Sequence, residues 1–209
     1  MELTGWGRYP RIQATGDAFE KSRLLERYLE NDGDVIAHAM GRSYGDSALN
    51  ERVIFTRRFD KLLCFDSEKG IIKCEAGILL SDLIEVFLPK GWFLSITPGV
   101  KFITIGGAIA SDVHGKNHHK WGCFSECVIS FDLMIASGEV VKCSRKENSD
   151  LFYATCGGMG LTGIILAATI KLQPVDSANI KQTVIRCESL EEICSRFDEY
   201  EHVSYSVAW

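Results

Sequence analysis

The chain has 209 residues, 46% of them hydrophobic and 24% charged, and a formal net charge of −5. This is the composition of an ordinary globular protein, long enough for one large core or two smaller ones. The acidic balance argues against a nucleic-acid binder, which carries a basic surplus.

In chain order, the first element is a helix expected over residues 17–30, with Leu25, Tyr28 and Leu29 on one face and Asn31-Asp32-Gly33 as its stop. A strand over 35–39 runs into a Gly/Ser-rich loop over 41–47. Strands are expected at 53–56, 62–65 and 71–76, the last two joined by the turn Asp66-Ser67-Glu68-Lys69-Gly70 as a hairpin. A helix fits 81–88, with Ser81 as N-cap and Pro89 and Gly91 ending it. Residues 97–117 are rich in Gly and small side chains, and Gly106-Gly107 opens a short helix.

Strands then follow at 128–135, 140–143, 164–172 and 180–187, with Ala136-Ser137-Gly138-Glu139 as a turn. A helix over 150–154 is capped from Asn148-Ser149, and a last helix begins at the capping box Ser189…Glu192. Residues 204–209 read as a final strand without a partner, which points to a further domain beyond. The pattern is α+β in two lobes, a small mixed lobe over about 1–65 and a larger antiparallel lobe with flanking helices over 66–175. Residues 176–209 then begin a second, truncated domain.

Eight cysteines invite a disulfide reading. Residues 1–11 hold no apolar leader, no C-x-x-C is present, and Cys64, Cys74, Cys143 and Cys187 sit in strand-like runs. They read as reduced thiols of a cytosolic protein. The apolar run over 161–172 is too short to span a bilayer and carries Lys171.

Three segments carry chemistry. In Gly41-Arg42-Ser43-Tyr44-Gly45-Asp46-Ser47, two glycines permit positive φ, so successive N–H groups can form an anion-binding nest. Ser43 and Ser47 add hydroxyl donors and Arg42 adds charge; an ordinary Gly-rich turn is the alternative. The second segment runs from Pro98-Gly99 to Thr104-Ile105-Gly106-Gly107-Ala108-Ile109-Ala110-Ser111-Asp112-Val113-His114-Gly115. Its small residues let a flat ligand approach a helix start with free N–H groups, or let that helix pack on a strand. The third, Gly158-Met159-Gly160-Leu161-Thr162-Gly163, fits G-x-G-x-x-G in inverted context, with a helix before and a β-branched run after. That is a tight turn feeding a strand at the edge of a ligand site, not a nicotinamide fingerprint.

His114, His118 and His119 are spaced for zinc, but Gly115-Lys116-Asn117 breaks any helix presenting them together, and no fourth ligand is evident. No metal is assigned. No G-x-S-x-G elbow supports a hydrolase.

In this order the three segments resemble the FAD-binding domain of the vanillyl-alcohol-oxidase superfamily, the PCMH type. The narrower likeness is to bacterial oxidases of polyprenyl-phosphoryl ribose. It extends to Leu3-Thr4-Gly5-Trp6-Gly7-Arg8, His114-Gly115-Lys116-Asn117-His118-His119 and Tyr205-Ser206-Val207-Ala208-Trp209. The resemblance implies FAD with its pyrophosphate on loop 41–47, Gly99 and residues 104–107 lining it, and Ser111 to Gly115 beside the isoalloxazine. It also implies that Ile164 or Ile165 makes contact from the second lobe. Arg42 stands where covalently linked relatives place histidine, and His38 lies upstream in the strand, so the FAD is expected to be non-covalent. His114 and Lys116 are substrate-side candidates, Lys116 as a partner for a substrate phosphate. Catalytic residues are expected in a substrate or cap domain, so this stretch alone is expected to be inactive.

The implied reaction is oxidation of the 2′-hydroxyl of a polyprenyl-phosphoryl ribose with hydride transfer to flavin N5, the first half of an epimerisation. An NADH-dependent keto-sugar reductase would complete it. The implied location is cytoplasmic, or peripheral at the inner membrane face. The alternatives are an aldonolactone or alditol oxidase of the same superfamily, and a non-catalytic ligand- or zinc-binding module.

Overall fold

The computed structural model describes residues 1–29 and 34–209. The chain opens with a hairpin, β1 (Glu2–Thr4) and β2 (Arg11–Gln13), in which Leu3 faces Ile12 across an antiparallel ladder. Next come β3 (Thr15–Ala18), α1 (Ser22–Leu29), β4 (Ile36–His38) and β5 (Arg52–Phe55). β3 and β4 both pair in parallel with β5, in the order β3-β5-β4.

The first expected helix therefore starts later than its sequence suggests. Asp17 and Ala18 pair with Ile54 and Phe55, because the open edge of β5 satisfies their backbone groups. Leu25 is the buried contact of α1, and Glu30 with the expected stop Asn31-Asp32-Gly33 lies outside the described residues.

The second sheet is built from β6 (Leu62–Asp66) and β7 (Ile71–Glu75), which form the expected hairpin, and from later strands. Between them lie α2 (Leu80–Phe87), β8 (Trp92–Leu94), α3 (Ile105–Ala110) and α4 (His118–Trp121). Ser81 is not the cap of α2. The helix starts one residue earlier, and the Asp82 carboxylate accepts the Leu79 N–H at 3.2 Å. Then follow β9 (Val128–Met134), β10 (Val140–Ser144), α5 (Ser149–Thr155), β11 (Ile164–Pro174) and α6 (Leu190–Glu199). Ser189 caps α6 as expected, its hydroxyl accepting from Glu192 N–H at 3.2 Å, while the Glu192 carboxylate accepts from Glu188 N–H at 3.0 Å rather than from the cap itself.

Strand order is β10-β9-β11-β7-β6, all antiparallel, with β8 paired to the far end of β11. β11 is central, and its apolar run is buried on both faces. Ile164 and Leu166 enter a small core with Leu25, Ile54 and Phe59. Ile165, Ala168, Ile170 and Leu172 enter the large core, where Phe131 stacks on Phe152 at 5.3 Å. Truncating either ring to Ala would cost about 3–5 kcal/mol.

Two expected strands do not form. Residues 180–187 and 204–209 carry no ladder. Ile180 and Val184, 75% and 82% exposed, alternate like a strand but meet no sheet edge among the described residues. The terminal stretch lies instead against α4 and its approach: Ser206 N–H donates to Lys116 O at 2.9 Å, and Gln173 Nε2 to Tyr205 Oη at 3.0 Å. All eight cysteines are free thiols. Among the described residues no helix is long and apolar enough to cross a membrane.

Candidate functional site

A cleft runs between the end of β4, the start of α3 and the turn before β11, holding about 870 Å³ with its solvent-open mouth included. Its first wall is the loop after His38. The ring Nδ1 of His38 lies 2.8 Å from Ala48 O. A carbonyl only accepts, so Nδ1 carries the proton and staples the two ends of the loop. Gly41 and Gly45 sit at φ +59° and +58°. Leu49 N–H and Ser47 Oγ–H close the turn onto Asp46 O and Tyr44 O, each at 2.8 Å. Among the described residues, the N–H groups of residues 41–47 donate to no backbone or side-chain acceptor. Consecutive unpaired amides around left-handed glycines are the chemistry of an anion nest.

Gly41, Arg42 and Ser43 line the cleft, whereas Tyr44, Gly45, Asp46 and Ser47 lie outside its lining. Tyr44 is 79% exposed. Ser47 gives its hydroxyl proton to the loop itself, so it is not the free donor expected from sequence. Arg42, the only charged lining residue among those described, donates to Met40 O at 2.7 Å.

The second wall differs from its expectation. Thr104 caps α3, and every early amide is already used. Ile105 N–H donates to Ile78 O at 3.0 Å, Gly106 N–H to Ala76 O at 2.7 Å, and Gly107 N–H to Thr104 Oγ1 at 3.0 Å. The helix start therefore offers shape, not free donors. Its glycines divide the work. A Cβ on Gly106 would lie 3.2 Å from both the Cβ and the carbonyl of Ala76, so this glycine seats the helix on the sheet. A Cβ on Gly107 would meet only Thr104 Oγ1, at 3.1 Å. Thr104, Gly106, Gly107 and Ser111 line the cleft, while Ile105 is fully buried in the large core and Gly99 lies away from the lining.

At its far end α3 is clamped. Asp112, at φ +39°, accepts from Ser125 N–H at 2.7 Å and Ser125 Oγ–H at 3.1 Å. The third segment docks on the same end, Gly157 N–H donating to Ile109 O at 3.1 Å and Met159 N–H to Ala110 O at 2.8 Å. Positive φ at Gly157, Met159, Gly160 and Gly163 turns the chain from α5 into β11, the reverse of a strand-to-helix fingerprint. Met159, Gly160, Gly163 and Ile165 reach the cleft, while Ile164 points into the small core.

Val113 is the last residue of its segment to line the cleft. His114 beyond it is exposed and lies 5.4 Å from the His118 ring; Gly115 packs under Thr97 O. Lys116 sets its ammonium 5.7 Å over Trp209. His119 Nε2 lies 3.0 Å from Val203 O, turned to a different partner from His114 and His118. Among the described residues no three His, Cys, Asp or Glu side chains are placed to hold a metal.

Residues that sequence reasoning missed also form the wall, chiefly Ala37, Ala39, Thr56, Ala76 and Ile103. Ala37 and Ala39 carried a signal, small residues two apart on one strand face. Ala76 carried none, because its place depends on the packing of α3. Unpaired amides and one guanidinium at the mouth suit phosphate oxygens, and the wall of Gly, Ala, Ser and Thr leaves room for a planar ring. These residues fit a flavin dinucleotide.

Residues 17–144 match the family described as FAD binding domain. The chain belongs to that family. Its cofactor is FAD, its α+β architecture is the PCMH-type fold, and it is the FAD-binding part of an oxidoreductase. It is 40% identical, over 99% of its length, to decaprenylphosphoryl-beta-D-ribose oxidase of Mycolicibacterium smegmatis, covering 47% of that protein. Human Delta(24)-sterol reductase is 31% identical over 65% of this chain and 26% of its own length. Mouse L-gulonolactone oxidase is 33% identical over 77% of this chain and 36% of its own. The chain thus spans less than half the length of each of these relatives.

Proposed function

We propose that the chain is the FAD-binding portion of an enzyme that oxidises a secondary hydroxyl of a sugar, the 2′-hydroxyl of a polyprenyl-phosphoryl ribose. The observation that carries this reading is the 40% identity to a ribose oxidase, sustained over 99% of the chain. When bound, FAD supplies the two-electron acceptor for that alcohol oxidation. The residues of the chain bind and orient it. The amides of residues 41–47 and Arg42 receive the pyrophosphate, with Gly41, Arg42 and Ser43 on the cleft lining, Gly107 and Ser111 flank the ring system, and Ile165 closes the wall from β11. Residues 1–175 act as the FAD module, and 176–209 begin a substrate-covering domain that contributes the catalytic residues. His114 and Lys116 are substrate-side candidates at the rim, on the segment that leaves the wall at Val113. A separate NADH-dependent reductase would consume the keto sugar, at the cytoplasmic side of the membrane.

The FAD is held without a covalent bond, since Arg42 stands where linked relatives carry histidine. Acid precipitation should leave all yellow colour in the supernatant as FAD. Flavin retained in the pellet refutes non-covalent binding, and released FMN refutes the dinucleotide.

A second reading, a sugar-lactone oxidase, draws on the likeness to L-gulonolactone oxidase. Anaerobic mixing of the full-length gene product with each substrate separates the two. Bleaching of the flavin by polyprenyl-phosphoryl ribose and not by the lactone is the expected result, and the opposite pattern selects the second reading.

A further inference from the structure

The family match begins at residue 17, yet residues 4–6 lie directly behind the anion loop. Gly5 approaches so closely that a Cβ there would stand 2.6 Å from Gly45 O and 2.7 Å from Ser43 O. Trp6 N–H donates to Ser43 O at 2.8 Å. Thr4 O is the first atom a Cβ on Gly41 would meet, at 3.3 Å. The Arg42 guanidinium lies over the Trp6 ring, 5.6 Å from its centre. This backing segment is itself anchored. β1 pairs with β2, and Met1 and Ala14 exchange hydrogen bonds of 2.8 Å in both directions, tying the hairpin to the start of the parallel sheet.

Among the described residues the amides of this loop donate to nothing, and its internal bonds, Ser47 Oγ–H to Tyr44 O and Leu49 N–H to Asp46 O, close only its second half. Two of its residues are left-handed glycines, which add freedom. The rest of its form comes from outside. The His38 ring ties its ends, and the Thr4-Gly5-Trp6 segment, the end of β1 and the turn after it, supports its middle.

We propose that Thr4-Gly5-Trp6 is a positioning element of the FAD site, which holds the phosphate loop in its receiving shape and fixes the Arg42 charge at the mouth of the cleft. The proposal rests on the FAD reading of that cleft. Gly5 sets the distance between segment and loop, because any side chain would drive the two carbonyls away. Trp6 offers a ring face that keeps Arg42 from swinging into solvent. Preorganisation of this kind appears as ligand affinity rather than as stability, since the ordering cost is met before the ligand arrives.

The test is titration of FAD into flavin-free protein, for the wild type and for Gly5→Ala, Trp6→Ala and Trp6→Phe. Circular dichroism and Tm are followed in parallel. Gly5→Ala should weaken FAD binding about tenfold or more with the fold retained. Trp6→Ala should weaken it about three- to fivefold, and Trp6→Phe, which keeps a ring face, should restore it to within about twofold. Unchanged affinity in Gly5→Ala and Trp6→Ala overturns the proposal, as does a fall in Tm of Trp6→Ala with no change in Kd. Should Gly5→Ala fail to fold, the Trp6 pair decides alone, because that side chain is 53% exposed and outside both cores. A wild-type protein that binds no FAD removes the reading of the cleft, and this inference with it.

Discussion

The two glycine-rich walls of the cleft look alike as sequence and behave differently as structure. In the loop after β4, the glycines at 41 and 45 are there for their positive φ, and among the described residues the amides around them are unpaired. At the start of α3, neither Gly106 nor Gly107 has positive φ, and the amides are bonded to Ala76 O and Thr104 Oγ1. One wall uses glycine for conformation and offers donors. The other uses glycine for the space a missing side chain leaves. A glycine pair therefore says little until its backbone angles and hydrogen-bond partners are known.

The largest effect should come from the space-making wall. Gly107→Val would place a branched side chain in the cleft while touching only the Thr104 hydroxyl. Flavin content should fall to near zero with the circular dichroism spectrum kept, a loss of at least about 1–3 kcal/mol of binding. Gly106→Val should do the reverse, costing roughly 1–3 kcal/mol of fold stability through the clash with Ala76. Flavin retained at normal occupancy by Gly107→Val would break the distinction.

A smaller effect is expected in the other wall. A Cβ on Gly45 meets nothing within 4 Å, so Gly45→Ala adds only the strain of a left-handed alanine. It should cost about 1–2 kcal/mol, and Tm should fall by roughly 2–4 °C for each of these at this chain length. An unchanged Tm would show that the loop relaxes to another conformation at no cost.

The smallest effect concerns thiols that both walls leave untouched. Burial pushes the Cys74 and Cys127 thiols up to about 12 from an ordinary 9.0. Their contribution to stability is full below the unfolded value and is lost as pH rises from 9 towards 12, because only the unfolded chain ionises there. Maleimide at about pH 8 should label exposed Cys64 and Cys194 and spare Cys74 and Cys127. Fast labelling of the buried pair in folded protein would contradict their packing.

Much of the fold was legible where the chain specifies itself locally. The turn 66–70 gave the β6–β7 hairpin, and the Ser189 cap gave α6. The short strands β3 and β8 were not legible, since their three or four residues are ordered by partners remote in sequence, and β1 and β2 pair over only three residues, too few to show a period. The same dependence explains the opposite error at 180–187, where strand-like alternation meets no sheet edge among the described residues. In the site, positive-φ glycines announce themselves by composition. The spent amides of α3 do not, because their acceptors, Ile78 and Ala76, come from another segment.

β11 is the last strand of its sheet to be made and the middle one in space. Until residues 164–174 have left the ribosome, β7 and β9 have no common neighbour, and neither core can close. At about 5–20 residues per second, several seconds of synthesis pass with those edges open. Pairings this distant in sequence also make for slow closure. The hairpins β6–β7 and β9–β10 can thus be joined into the one sheet that carries a wall of the FAD cleft only after β11 is made, and the turn at 157–163, bonded to Ile109 O and Ala110 O, is what leads the chain into that strand.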